Sequence, residues 1–140
     1  MEESQIEFHA EGEFVLADST QIKAWFEATA KAEGKHIGAL NYIFCDDQYL
    51  LKINVEFLNH DTYTDIITFD YCVGDELISD IYISTERVAE NAKEYNETFE
   101  NELHRVLIHG LLHLCGYKDK TEEEASLMRE KENYYLSLRA

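Results

Sequence analysis

The stretch from Leu103 to Leu114 constrains this chain more than any other, because its apolar residues (Leu103, Val106, Leu107, Ile108, Leu111, Leu112, Leu114) go almost the whole way round a helix. Such a helix has to be buried under other elements. Within it, His109 and His113 are four residues apart, which at about 100° per residue sets them about 40° apart on one face, one turn above the other. Two imidazoles so placed can reach one metal ion, and polar groups inside a buried helix need such partners, because leaving them unpaired is costly. Gly116 can take the positive φ that ends a helix, turning the chain back so that Asp119 reaches the same point. Two histidines and a carboxylate leave a fourth tetrahedral position open for water, the donor set of a catalytic rather than a structural zinc site.

The residues around the pair narrow the chemistry. In HExxH metalloproteases the residue after the first histidine is the glutamate that acts as general base; here it is Gly110, so a peptidase mechanism lacks its base. Glu102 shares the helical face of His109 but lies two turns away, about 10 Å along the axis, and reads as a solvated or structural carboxylate. His104 falls about 140° round the helix from His109 and is expected as a surface or cap residue.

The rest of the chain must supply the cover. At 140 residues and 45% hydrophobic content it suits one domain, residues 1–140, with one core. Weak alternation over 5–9 suggests a strand. Ser19 is an expected N-cap for a helix through Ile22, Trp25, Phe26, Thr29 and Ala30 that stops at Gly34. His36–Cys45 reads as a strand, and Asp46 caps a helix carrying Leu50, Ile53, Asn54 and Phe57, with Phe57 expected in the core. Thr64–Val73 and Glu76–Ser84 read as a hairpin around Gly74-Asp75. Helices are then expected from Ser84 to near Asn96, from about Thr98 to Cys115, and from Thr121, where Thr121 and Glu124 have capping-box spacing. Mixed, partly segregated strands and helices make the class α+β.

Charge sets limits on partners. Twelve Lys and Arg against 29 Asp and Glu give a net charge of −17, which disfavours loose binding of nucleic acid by a broad basic face. The N-terminus has no signal-peptide pattern, and no stretch approaches the roughly 20 apolar residues of a membrane span, so a cytoplasmic location is expected. Cys45, Cys72 and Cys115 form no CxxC pair and read as reduced thiols.

His109-Gly110-Leu111-Leu112-His113-Leu114-Cys115-Gly116-Tyr117-Lys118-Asp119 resembles the HGxLHLxGYDH signature of the YbeY family of bacterial single-strand-specific metallo-endoribonucleases. The resemblance extends upstream, where Asn54-Val55-Glu56-Phe57-Leu58 precedes Thr64-Asp65-Ile66-Ile67-Thr68-Phe69 at the family's spacing, and Ser79-Asp80-Ile81 looks like its Gly-Asp-Ile element. It implies a small four-stranded mixed sheet with about five helices, and a metal site at the end of the buried helix. It also implies one zinc or other divalent ion, and cleavage of single-stranded ribosomal RNA in 16S 3′-end maturation and ribosome quality control. A ribosome or ribosomal protein partner follows, with neither DNA nor membrane. His109 and His113 carry over as catalytic metal ligands. The family's third histidine falls on Asp119 and the residue before it on Lys118, giving a His2Asp set that tilts toward harder ions. The family's cleft arginine falls on Leu58, so His60, Lys118 and Lys120 are the expected donors to substrate. The residues alone leave two other readings open: a non-catalytic RNA- or ribosome-binding module stabilised by a metal, and a metal-dependent hydrolase of another substrate such as peptide.

Overall fold

A computed structural model describes residues 5–59 and 64–139. In chain order the elements are β1 (Gln5–Ala10), α1 (Ser19–Ala32), β2 (His36–Cys45), α2 (Asp47–Leu58), β3 (Ile66–Asp70), β4 (Glu76–Ser84), α3 (Thr85–Glu94), α4 (Phe99–Leu114) and α5 (Glu122–Ser137). The four strands form one mixed sheet in the order β1-β2-β4-β3, with β2 parallel to both β1 and β4, and β3 antiparallel to β4. The expected α+β class, sheet size and five described helices are therefore found, and no described helix is long and apolar enough to cross a membrane.

Alternation along the strands divides the sheet into two faces. One face contributes Ile6, Tyr42, Phe44, Leu77, Ile81 and Ile83 to the main core, against Phe26 of α1 and Leu107, Ile108, Leu111 and Leu112 of α4. The other face is covered at one corner, where Leu50 and Ile53 of α2 meet Cys45 and Ile67. Every residue of the apolar helix from Leu103 to Leu114 is buried except His104, Arg105, His109 and His113. Three of those, Arg105, His109 and His113, recur every four residues and make one strip of α4 open to solvent. Truncating a core leucine such as Leu111 costs about 2–5 kcal/mol in a helix so enclosed.

Gly110 explains itself in this setting. It faces β3, and a Cβ built on it would stand 2.9 Å from the Ile66 Cδ1 atom and 3.8 Å from the Thr68 hydroxyl. The position where a metalloprotease carries its glutamate is thus a close approach of helix to sheet.

Several boundaries differ from expectation for local reasons. The helix α1 starts at Ser19 but is preceded by Asp18 in the left-handed region, with no side-chain cap, so Ser19 is not its N-cap. The strand β3 is shorter than 64–73, because the Asp70 carboxylate accepts the Cys72 N–H at 2.9 Å and bends the chain before the turn. Beyond it, Val73 and Glu76 exchange backbone hydrogen bonds of 3.1 and 3.0 Å across Gly74-Asp75, the expected hairpin. The helix α3 stops at Glu94 because Asn96, at φ 56, takes the left-handed position that lets Glu97 N–H return to the Ala92 carbonyl. Thr121 and Glu124 close the expected capping box on α5.

Candidate functional site

Both histidines of the open strip are held by their Nδ1 atoms. His109 Nδ1–H donates to the Glu132 carboxylate at 2.6 Å, and His113 Nδ1–H donates to the Tyr117 carbonyl at 2.9 Å. The rings lie nearly parallel, 18° between planes and 6.1 Å between centroids. Fixing each Nδ1 as the donor leaves each Nε2 as the atom free to act, the arrangement in which a histidine is oriented for metal binding by a carboxylate or carbonyl behind it.

The carbonyl that holds His113 is placed by the end of α4. Gly116, at φ +111, lets Tyr117 N–H return to the Leu112 carbonyl at 3.1 Å. The Tyr117 hydroxyl then donates to Glu33 at 2.7 Å, and Tyr135 donates to the same carboxylate, so the turn is pinned to α1 and α5. From this anchored turn Asp119 comes back as expected, with its Oδ2 3.2 Å from His109 Nε2.

Glu132 is the residue the sequence reading missed. It is 4% exposed, sits on the buried face of α5 with Met128 and Tyr135, and serves three cations. One oxygen takes His109; the other accepts Arg105 Nη1 at 3.0 Å and lies 3.7 Å from Arg129 Nη1. Burial alone would push the Glu132 carboxyl up, but the hydrogen bonds from His109 and Arg105 outweigh it and hold its pKa below the ordinary value. For His109 burial pushes the other way, and the hydrogen bond and charge of Glu132, with Asp119 and Asp65, leave its pKa raised. Glu102, 6% exposed and of raised pKa through burial, is a structural carboxylate, as one of the two expectations had it.

Two clefts meet at His109 and Asp119. One, of about 370 Å³, runs between α3, α4 and α5 past Arg105, Arg129 and Glu132. The other, of about 360 Å³, runs between α2 and β3 past Asn54, Leu58, Thr68 and His113. Asp65 and Ile66 line both. Lys118 and Lys120 are exposed on the turn and are not among the lining residues of either cleft. His60 lies outside the described residues. Phe57 is 66% exposed rather than core, because the last turn of α2 runs past the corner that Leu50 and Ile53 bury; its ring meets Phe69 edge-on at 5.9 Å. His104 is also not a plain surface residue: its Nδ1 meets Arg139 Nη1 at 2.8 Å and its ring lies 6.0 Å from Trp25.

Among the described residues no group of three or more His, Cys, Asp or Glu side chains is drawn together as a finished metal cage. The expected three-ligand set is only partly assembled, since the Asp119 carboxylate is engaged directly with His109 Nε2. The donors nonetheless suit an ion. Two ligands about 2.0–2.1 Å from a tetrahedral centre stand about 3.3–3.4 Å apart, close to the observed 3.2 Å, and His113 Nε2 is left open by its Nδ1 bond.

Fold and site together define a class: a small α+β protein whose buried helix offers two oriented histidines, backed by a carboxylate, at the junction of two clefts. A family model described as Endoribonuclease YbeY matches residues 5–139. The Endoribonuclease YbeY of Christiangramia forsetii is 55% identical over 138 residues, 99% of this chain and 96% of that protein. That of Cytophaga hutchinsonii is 50% identical over 139 residues, 99% of this chain and 97% of the relative. The solution structure of TM1509 from Thermotoga maritima superposes with a TM-score of 0.67 at 32% identity, covering 94% of this chain and 87% of that one. The chain belongs to the Endoribonuclease YbeY family.

Proposed function

We propose that this protein is a metal-dependent endoribonuclease that cuts single-stranded ribosomal RNA, acting in the cytoplasm in 16S 3′-end maturation and ribosome quality control. Its relatives are named as endoribonucleases, and the observation that carries the reading to this chain is the orientation of His109 and His113 through Nδ1, which turns the His109 Nε2 toward Asp119 at 3.2 Å and leaves the His113 Nε2 open. His109, His113 and Asp119 would hold one divalent ion, zinc or a harder ion suited to the carboxylate. Bound there, such an ion supplies Lewis acidity toward a phosphoryl oxygen and lowers the pKa of water.

The chain's own residues do the positioning. Glu132 and the Tyr117 carbonyl fix the two imidazoles, so that no ring has to reorient during turnover. The two clefts that meet at His109 form a trough open enough for a strand with splayed bases, whereas a duplex would keep its bases stacked away from the walls. Lys118 and Lys120, exposed on the turn beside Asp119, would meet phosphates as the strand enters. With a net charge of −17, binding to free RNA is weak and salt-sensitive, which suits a protein brought to its substrate by a ribosome or ribosomal protein.

The test is cleavage of end-labelled single-stranded ribosomal RNA by the wild type and His113→Ala, purified identically, with and without chelator. Cutting is expected to disappear with the mutation and with the chelator alike. Equal cutting by both proteins would assign it to a contaminant and remove the reading.

A further inference from the structure

The molecule has four arginines, and two of them are committed to holding the fold. Arg87 is paired with Asp47 at 2.8 Å, and Arg139 is tied to Asn101, His104 and the Leu136 carbonyl. The remaining two, Arg105 and Arg129, line the cleft on the α5 side of His109. We propose that Arg105 and Arg129 form a subsite for a backbone phosphate of the RNA strand, next to the histidine pair. The proposal rests on the ribonuclease reading and adds to it the place where the strand's charge is met.

Three observations carry it. First, both guanidinium groups converge on a single oxygen of Glu132, at 3.0 and 3.7 Å, while the other oxygen of that carboxylate is taken by His109. Glu132 therefore faces three donors, and with His109 also met by Asp119 at 3.2 Å, it is the two arginines whose guanidinium groups keep N–H donors beyond those that Glu132 accepts. Second, the two arginines differ in freedom. Arg105 is half-buried and fixed, whereas Arg129 is 59% exposed and beyond hydrogen-bond distance of Glu132, so its fork can turn onto a ligand without a bond being broken. A planar fork beside a fixed one suits the paired oxygens of a phosphate. Third, the chain as a whole repels polyanions, so a strand gains contact only where cations converge on the cleft that leads to the reacting groups. Of the other carboxylates that line the same cleft, Asp65, Glu102 and Asp119, Glu102 is buried and Asp119 is engaged with His109 at 3.2 Å. Tyr95, exposed on the α3 wall of that cleft, offers a ring for the neighbouring base.

The experiment uses the full chain with its metal and a fluorescein-labelled single-stranded RNA 12-mer, read by anisotropy over a salt series and by cleavage rate. Arg129→Gln is expected to raise Kd and KM about five- to tenfold with kcat within about twofold. The slope of log K against log salt should become shallower by about 0.7, one lost contact to a single strand. Arg129→Lys should recover part of the affinity. Lys23→Gln, which removes the same charge on α1 over the Phe8 ring, should behave as wild type. Because Arg129 is exposed, its variants are expected to fold; unchanged circular dichroism checks this. If Arg129→Gln matches Lys23→Gln in both KM and salt slope, the subsite is overturned while the ribonuclease reading stands. If the wild type neither binds nor cuts the RNA, both fall together.

Discussion

The two clefts that meet at His109 are built from opposite materials. Toward α5 the wall is a charged network in which Glu132 gathers His109, Arg105 and Arg129; toward α2 it is Asn54, Leu58, Ile67 and Thr68, with no Lys or Arg among the described lining residues. Leu58, 44% exposed, stands where a longer basic side chain would point into the trough. The difference teaches that the cations beside the site, and the carboxylate that orients His109, belong to one wall, while His113 on the other side is oriented by the Tyr117 carbonyl. A protein of net charge −17 can use a polyanionic substrate on those terms, provided the cations it has are concentrated beside the reacting groups.

The largest effect should come from breaking the charged wall at its centre. Glu132→Ala leaves Arg105 and His109 without their shared acceptor, and removing one partner of a buried ionic network costs about 3–5 kcal/mol. Urea unfolding should show it, with Glu132→Gln falling between the two because the amide keeps the volume and one acceptor. Leu58→Ala on the opposite wall should stay within about 0.5 kcal/mol of wild type, as exposed positions do. Equal costs at the two positions would erase the contrast.

A smaller effect should come from adding a cation to the α2 wall. Leu58→Arg adds a guanidinium to the α2 side, and if the strand occupies both clefts, RNA affinity should rise about three- to tenfold, with the salt slope steeper by about 0.7. An unchanged slope would confine the strand to the α5 side.

How much of this was legible in the sequence depends on whether the information is local. The strands His36–Cys45 and Glu76–Ser84, the Asp46 cap, the capping box and the apolar helix with its histidine pair follow from period and capping chemistry, and the structure returns each of them. Asp119 beside His109 was legible too, since a glycine turn after a helix dictates where the next few residues go. Glu132 was not, although a signal existed. It sits at core spacing between Met128 and Tyr135, and an acidic residue on the buried stripe of an amphipathic helix needs a cation to face it. What periodicity cannot give is which helix supplies that cation. Arg105 and His109 lie 27 and 23 residues upstream, and only the α4–α5 contact brings them to Glu132. Phe57 was misjudged for a related reason: a helical period marks the apolar face but not the point at which the core beneath it ends.

The smallest effect compares two histidines within α4 itself. His109 is surrounded by carboxylates, and His104, five residues earlier on a different face, is set against Arg139 and Trp25. Burial first, and then the charge of Arg139, hold the His104 pKa below its ordinary value of 6.5. In the native state the ring is therefore neutral at a pH where the unfolded chain has begun to take up a proton. As pH falls through 6.5 the unfolded state binds more protons than the native state does, so the stability contributed by neutral His104 is fully present above 6.5. It is lost progressively down to the depressed native pKa, below which the dependence flattens. Urea midpoints at pH 7.5, 6.5 and 5.5 should show the wild type losing ground to His104→Gln as the solution becomes more acidic. Parallel behaviour of the two proteins across that range would mean that Arg139 and Trp25 do not set the charge state of this ring.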